Sequence, residues 1–229
     1  MPAVEPGRCG EHWDDCPRLA AGEPVESITD VDGTCGDCCR QRRDLVLSGY
    51  DLYRIARRLS LPPRIVAAAF CKSYLAPESC LPALRLTPDP KTGNCRFFEG
   101  SACTIHAARP LACALYPLGQ SIDMVTAQTE YYVQTPLCGA RAGEARTLQD
   151  YLQDSAVLDR AGVDARWAIV CTQLSHRLQA AGGTDNPRFS AAVRRMERAL
   201  YYDYELSDDF YPQFCQNIEI LMPLLDRML

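Results

Sequence analysis

A chain of 229 residues, 47% hydrophobic and 23% charged, carries enough apolar material for a sizeable core without help from metal or disulfides. A formal net charge of −5 argues against a general nucleic-acid or acidic-membrane binder. The N-terminus, M-P-A-V-E-P-G-R-C-G, lacks a cationic start followed by an apolar run, and apolar stretches such as residues 65–70 are too short to span a bilayer, so the expectation is a cytoplasmic protein without a membrane segment.

Residues 1–31 are rich in Gly, Pro, Asp and Glu with little periodicity and read as a flexible N-terminal arm. D-G-T-C-G-D-C-C-R follows, from Asp32 to Arg40, with three cysteines in five residues. The next segment, S-G-Y-D-L-Y-R-I-A-R-R-L-S-L, predicts a helix with Leu52, Ile55, Ala56 and Leu59 on one face and Ser48 as its cap. Pro62 and Pro63 break it and open a second helix that runs through Ala69 and Phe70.

Between Pro77 and Pro117 the texture changes to prolines, glycines and cysteines around short extended pieces. Leu84 to Leu86, Cys95 to Phe98 and Ala102 to Ile105 read as strands or loops, and Asp123 to Val133 as one more strand. The last third reads as helical. Leu148 to Leu158 forms one helix. Val163, Trp167, Val170, Cys171, Leu174 and Leu178 make an apolar stripe on the next. Phe189 to Tyr201 and Asp208 to Leu229 continue the pattern, the acidic pair Asp208-Asp209 suiting the start of the last helix. The expected fold class is α+β: an irregular cysteine-rich metal-binding region, 32–140, with short strands and helices, then a helical region, 141–229, packed on it. Another protein is an expected partner for those C-terminal helices. Nucleic acid is not.

Thirteen cysteines are the anomaly. In a reducing compartment such density points to metal binding or redox chemistry, and the odd count leaves one thiol over in any fully intramolecular disulfide scheme. In Cys35-x-x-Cys38, Gly36 lets the backbone turn so that both sulfurs can face one ion. Cys95 and Cys103 bracket R-F-F-E-G-S-A, a hairpin tip that would bring their sulfurs near each other. Cys113 lies in a frame set by Arg109-Pro110 and Tyr116-Pro117. Soft thiolates suit zinc and iron–sulfur clusters, and four satisfy either.

Other candidates have plainer readings. His106 could pair with Cys103 as a ligand, but a turn histidine is the simpler account among so many thiols. Cys9, His12 and Cys16 lie in an arm with little core to hold a second site. Cys71, Cys171 and Cys215 lie on or beside apolar stripes and read as core packing; Cys80 is undecided. Tyr131-Tyr132 and Tyr201, Tyr202 and Tyr204 read as core or interface aromatics rather than a pocket lining. Arg40, Arg42, Arg43 and Arg109 would either offset a thiolate centre's negative charge or form a solvated basic face. No Gly-rich nucleotide loop, P-loop, G-x-S-x-G or H-E-x-x-H motif appears, nor the C-x-x-x-C-x-x-C of radical cofactor enzymes.

D-G-T-C-G-D-C-C-R, together with G-N-C-R-F-F-E-G-S-A-C-T-I-H-A-A-R-P-L-A-C-A-L-Y-P, resembles the YkgJ-type cysteine-cluster proteins, a family proposed to chelate zinc or iron. The segment is also similar to the cysteine region of flagellin lysine N-methylases. The resemblance implies metal-ligating roles for Cys35, Cys38, Cys39, Cys95, Cys103, Cys113 and Cys138, the last in T-P-L-C-G. The family's first cysteine falls at Asp32 here, which puts in doubt a centre that uses every family position. The methylase resemblance favours a four-iron cluster, with zinc as the alternative. The functions this leaves open are a metal-binding module, a protein-modifying enzyme such as a methyltransferase, and a thiol redox or metal-transfer protein.

Overall fold

A computed structural model describes residues 18–19, 24–25, 36, 39–40, 45–123, 126, 128–133 and 146–229. Within the stretch 1–31, two short strands are described, β1 (Arg18–Leu19) and β2 (Pro24–Val25). Strand β3 (Val46–Leu47) leads into helix α1 (Gly49–Leu59). Ser48 caps α1 as expected, and a capping box completes the turn: Asp51 N–H donates to the Ser48 hydroxyl at 3.1 Å, and Ser48 N–H to the Asp51 carboxylate at 3.0 Å. Ser60, at φ +54, ends the helix by donating its N–H to the last-turn carbonyls. Pro63 starts α2 (Pro63–Phe70) at the position where a missing N–H costs nothing.

Strands β4 (Cys71–Leu75) and β5 (Pro82–Leu86) form an antiparallel hairpin, and β3 adds to its β5 side in the order β3-β5-β4. Strands β6 (Phe98–Glu99) and β7 (Ala102–Cys103) make a second hairpin, followed by a 3-10 turn at His106–Ala108 and the short helix α3 (Leu111–Leu115). The predicted strand over Asp123 to Val133 is corrected. Strand β9 takes only Thr129–Val133 and pairs antiparallel with β8 (Leu118–Ile122), Asp123 N–H donating to the Gln128 carbonyl at 2.8 Å between them, with β1 on the far side of β9. Strand β10 (Arg146–Thr147) pairs with β2.

Helix α4 (Leu148–Asp154) is shorter than the predicted Leu148 to Leu158: Ala156, at φ +56, breaks the run, and a 3-10 turn follows at Leu158–Arg160. Helices α5 (Ala161–Ala180), α6 (Phe189–Glu197) and α7 (Phe210–Met228) follow, with a π-helical turn at Arg198–Tyr202 between the last two. Short strands in small sheets with a mostly helical C-terminal part make the fold α+β. Among the described residues no helix is long and apolar enough to cross a membrane.

The main core joins both halves of the sequence. Leu52, Ile55 and Val66 from α1 and α2 and Leu84 from β5 pack with Val170, Leu174 and Leu178 of α5 and with Met196, Leu200 and Phe214. A smaller cluster gathers Ala114, Leu115 and Leu118 with Leu148, Tyr151 and Leu152. Helix α3 sits at the seam: Ala112 and Cys113 pack on the main core and Leu111 on the smaller one.

Candidate metal centre

Of the seven predicted thiol ligands, Cys39, Cys95, Cys103 and Cys113 lie among the described residues. Cys35, Cys38 and Cys138 lie outside them, as do Asp32, Cys9, His12, Cys16, Arg42 and Arg43. Among the described residues, no group of three or more metal-ligating side chains is placed to hold one ion. The four described thiols therefore do not complete a site by themselves.

What these residues do form is a frame that brings distant cysteine segments together. Cys39 N–H donates to the Gly36 carbonyl at 2.9 Å, closing the turn of the C-x-x-C-C stretch. Cys95 N–H donates to the Cys39 carbonyl at 2.8 Å, so two cysteines 56 positions apart share a backbone hydrogen bond. Phe98 seals the same junction. A methyl group built on Gly36, whose φ is +68°, would stand 2.3 Å from the Phe98 ring, so only glycine permits this approach. The Arg40 guanidinium lies over the other part of the junction, 5.0 Å from the Phe98 ring centroid.

Local chemistry sets Cys95 and Cys103 in place. The Asp89 carboxylate accepts from the backbone N–H groups of Lys91 and Thr92, both at 2.9 Å, and from the Thr92 hydroxyl, which holds its pKa below the usual range. That loop returns the chain so that Cys95 bridges to Pro88. The expected hairpin tip forms, with Gly100 at φ +61 in a two-residue turn, and its register pairs Cys103 with Phe98. Of the two readings of Cys95 to Phe98, strand or loop, the stretch before Phe98 takes the turn: Phe98 N–H donates back to the Cys95 carbonyl at 3.0 Å.

The Cys113 segment is held by polar anchors from elsewhere in the fold. Arg54 of α1 donates to the Ala107 carbonyl at 2.7 Å. Asp51, beside it and 3% exposed, accepts from Leu111 N–H at 3.0 Å and so caps α3. The same Asp51 oxygen accepts from Arg160 Nη2 at 2.7 Å, and Arg160 reaches Asp164 through Nε at 2.6 Å. Burial works against the Arg160 charge, but Asp51 and Asp164 outweigh it and hold its pKa above the ordinary value. Tyr151 of α4 donates to the Tyr116 carbonyl at 2.6 Å, just before the cis bond from Tyr116 to Pro117. These anchors are the functional residues that sequence reasoning missed. The S-x-x-D pattern at Ser48 signalled the local cap only, because the partners of Asp51 lie 60 and 109 positions away.

His106 follows its plainer reading. Its Nε2 stands 2.8 Å from Arg109 Nη1, and burial together with the Arg109 charge lowers its pKa. In that neutral form Nε2 accepts from Arg109 and is occupied. Cys71, Cys80 and Cys171 pack against the main core, and burial pushes the thiols of Cys71 and Cys171 up to about 12. Cys215 is half-buried on α7.

The cysteine-bearing stretch matches a family model over residues 32–139, that of CxxCxxCC, whose description reads "Putative zinc- or iron-chelating domain". Residues 32–139 are thus similar to the CxxCxxCC family. No curated protein and no solved structure matches the chain. Thiolates, which the cysteines of this stretch can supply, suit either metal named in that description.

Proposed function

We propose that this cysteine-bearing stretch holds a thiolate-ligated centre, an iron–sulfur cluster of the four-iron type, drawn from Cys35, Cys38, Cys39, Cys95, Cys103, Cys113 and Cys138. The observation that carries this reading is the junction between the C-x-x-C-C turn and the 95–103 hairpin, where the Cys39 and Cys95 backbones are hydrogen-bonded. A core has no need of that contact, whereas converging thiolates do. Seven cysteines exceed the four that one centre needs, so the surplus serves a second ion or remains as thiols.

The preference for iron–sulfur over zinc rests on the similarity to the cysteine region of flagellin lysine N-methylases. Four thiolates around zinc and around an oxidised four-iron cluster leave the same net charge, about −2, so electrostatics favours neither. Arg40, whose guanidinium stacks over Phe98 at the junction, would offset either. The role supported best is a metal-binding module whose centre pins the cysteine-bearing segments to one another.

The test is an anaerobic preparation of the full chain in which iron, zinc and acid-labile sulfide are quantified together with the visible spectrum. Iron and sulfide in equal amounts support the cluster; zinc without sulfide replaces it with a structural zinc site. Cys35→Ser and Cys113→Ser are each expected to lower bound metal. Unchanged metal in both variants would overturn the ligand set.

A further inference from the structure

A cleft of about 870 Å³ lies between α5 on one side and β3, α3 and β8 on the other. We propose that it is a binding site for an uncharged organic molecule that carries a planar ring and hydrogen-bonding groups. The proposal does not rest on the metal centre, although α3 serves both places: Ala112 lines the cleft and its neighbour is Cys113.

One face of α5 builds a wall. Trp167, Cys171, Thr172, Ser175, His176 and Gln179 recur at steps of three and four residues, with Cys171-Thr172 and Ser175-His176 as adjacent pairs, which aligns them along one side of a helix. This face lies beside the stripe of Val170, Leu174 and Leu178 that enters the core. Two adjacent faces of the helix are thus occupied, one by core and one by cleft. At its end the cleft is tied off where Gln179 Nε2 donates to the Glu78 carbonyl at 3.1 Å.

The lining chemistry sets the ligand class. Among the described lining residues there is no lysine or arginine, so phosphates and carboxylates find no ion-pair partner there. The one carboxylate among the described lining residues, Asp51, already accepts from Ser48, Leu111 and Arg160 and is not available to draw a cation. The Cys171 thiol, pushed up to about 12 by burial, adds no charge at neutral pH.

Other lining groups are uncommitted. Among the described residues, the Trp167 indole N–H, the Thr172 hydroxyl, the His176 ring and the Gln120 amide make no hydrogen bond within the protein. They contrast with the Ser175 hydroxyl, taken by Gln179, and the Tyr201 hydroxyl, which donates to the Leu47 carbonyl at 3.4 Å. Trp167 is also set rigidly for a ring to stack on. It packs edge-on to Tyr201 at 5.5 Å and tilted on Phe214 at 5.6 Å. A fixed aromatic plane with unspent donors and acceptors around it is the make-up of a small-molecule site, and the volume lies within the usual range of roughly 300–1,000 Å³.

The test uses the full chain and Nile red, a neutral fused-ring dye, with the anionic dye 8-anilinonaphthalene-1-sulfonate as contrast. Nile red is expected to bind saturably at one site, with blue-shifted emission and quenching of Trp167. Thr172→Trp from one wall and Gln120→Trp from the other, each checked for a native melting transition, should weaken it by about tenfold or more. Ile220→Ser, a change at a 62% exposed position on α7 outside the lining, should not. Equal affinity for both dyes, or wild-type Nile red affinity in whichever wall variant is folded, overturns the proposal. So does absence of saturable binding to wild type.

Discussion

The helical part of the molecule and its cysteine-bearing part are held by different forces. Around α5 and α7 the chain buries Val170, Leu174, Phe214, Leu221 and Leu225 almost completely, and each contributes by leaving water. From residue 95 to 117 the chain follows turns, short strands and the short helix α3, and although Phe97 and Ile105 reach the core, its placement also depends on a few directed contacts: Cys95 to Cys39, Arg54 to Ala107, Asp51 to Leu111 and Tyr151 to Tyr116. Apolar burial tolerates small shifts, whereas a hydrogen bond does not. The contrast suits a ligand frame, which needs its donors at fixed points, resting on a core that only needs to be filled.

Asp51 belongs to both regions, and its removal should have the largest effect. Asp51→Ala leaves Arg160, itself 2% exposed, without one of its two carboxylates, uncaps α3 and breaks the capping box of α1. Breaking a buried pair from one side costs about 3–5 kcal/mol. Chemical denaturation should show that loss, and metal content should fall with it because the Cys113 segment loses its anchor. A variant that keeps full metal at reduced stability would show that the two regions are not joined through this carboxylate.

Phe214→Ala is the counterpart confined to the helical side. Emptying a fully buried aromatic site costs about 3–5 kcal/mol. The melting temperature should fall while metal per folded chain stays at the wild-type value. If metal falls in proportion, the contrast between the two regions fails.

Much of this architecture is legible in the residues, and the gaps have physical causes. Helix α1 was readable from end to end because cap, apolar face and proline stop are all local signals. Strands β3, β4 and β8 were not. Val46–Leu47 is only two residues long, C-K-S-Y-L does not alternate cleanly, and L-G-Q-S-I contains a glycine. That glycine is there because the Tyr132 ring stands 2.2 Å from where a Cβ at position 119 would be, a cross-strand fact invisible along the chain. The α5 stripe was half legible: its spacing announced a helix, but Trp167 and Cys171 also face the cleft. At the candidate centre the cysteines announced themselves by density. The anchors that position them did not, because aspartate and arginine in an amphipathic helix read as solvent-facing until their partners from other segments are known.

Gly36→Ala sharpens the comparison from the cysteine side with a smaller cost to stability. The added methyl meets the Phe98 ring, and φ +68 strains any other residue. The strain is of order 1–3 kcal/mol and falls on the junction of Cys39 and Cys95 rather than on the core. Metal content should drop while the helical signal in circular dichroism and its melting transition change little. A variant with wild-type metal would mean that the junction is packing alone.

Cys171→Ser should have the smallest effect, and for that reason it tests the division most directly. Cys171 is as much a cysteine as Cys113, yet it sits on α5 against the helical core, and burial pushes its pKa up to about 12. At neutral pH almost none of it is thiolate, the form that binds metal and attacks disulfide reagents. Serine in its place should leave the metal content and visible spectrum unchanged, and in the wild type Cys171 should react slowly with a disulfide reagent until the pH approaches that value. Loss of metal on this substitution would mean that thiol density, and not the frame around residues 36–117, decides which cysteines bind.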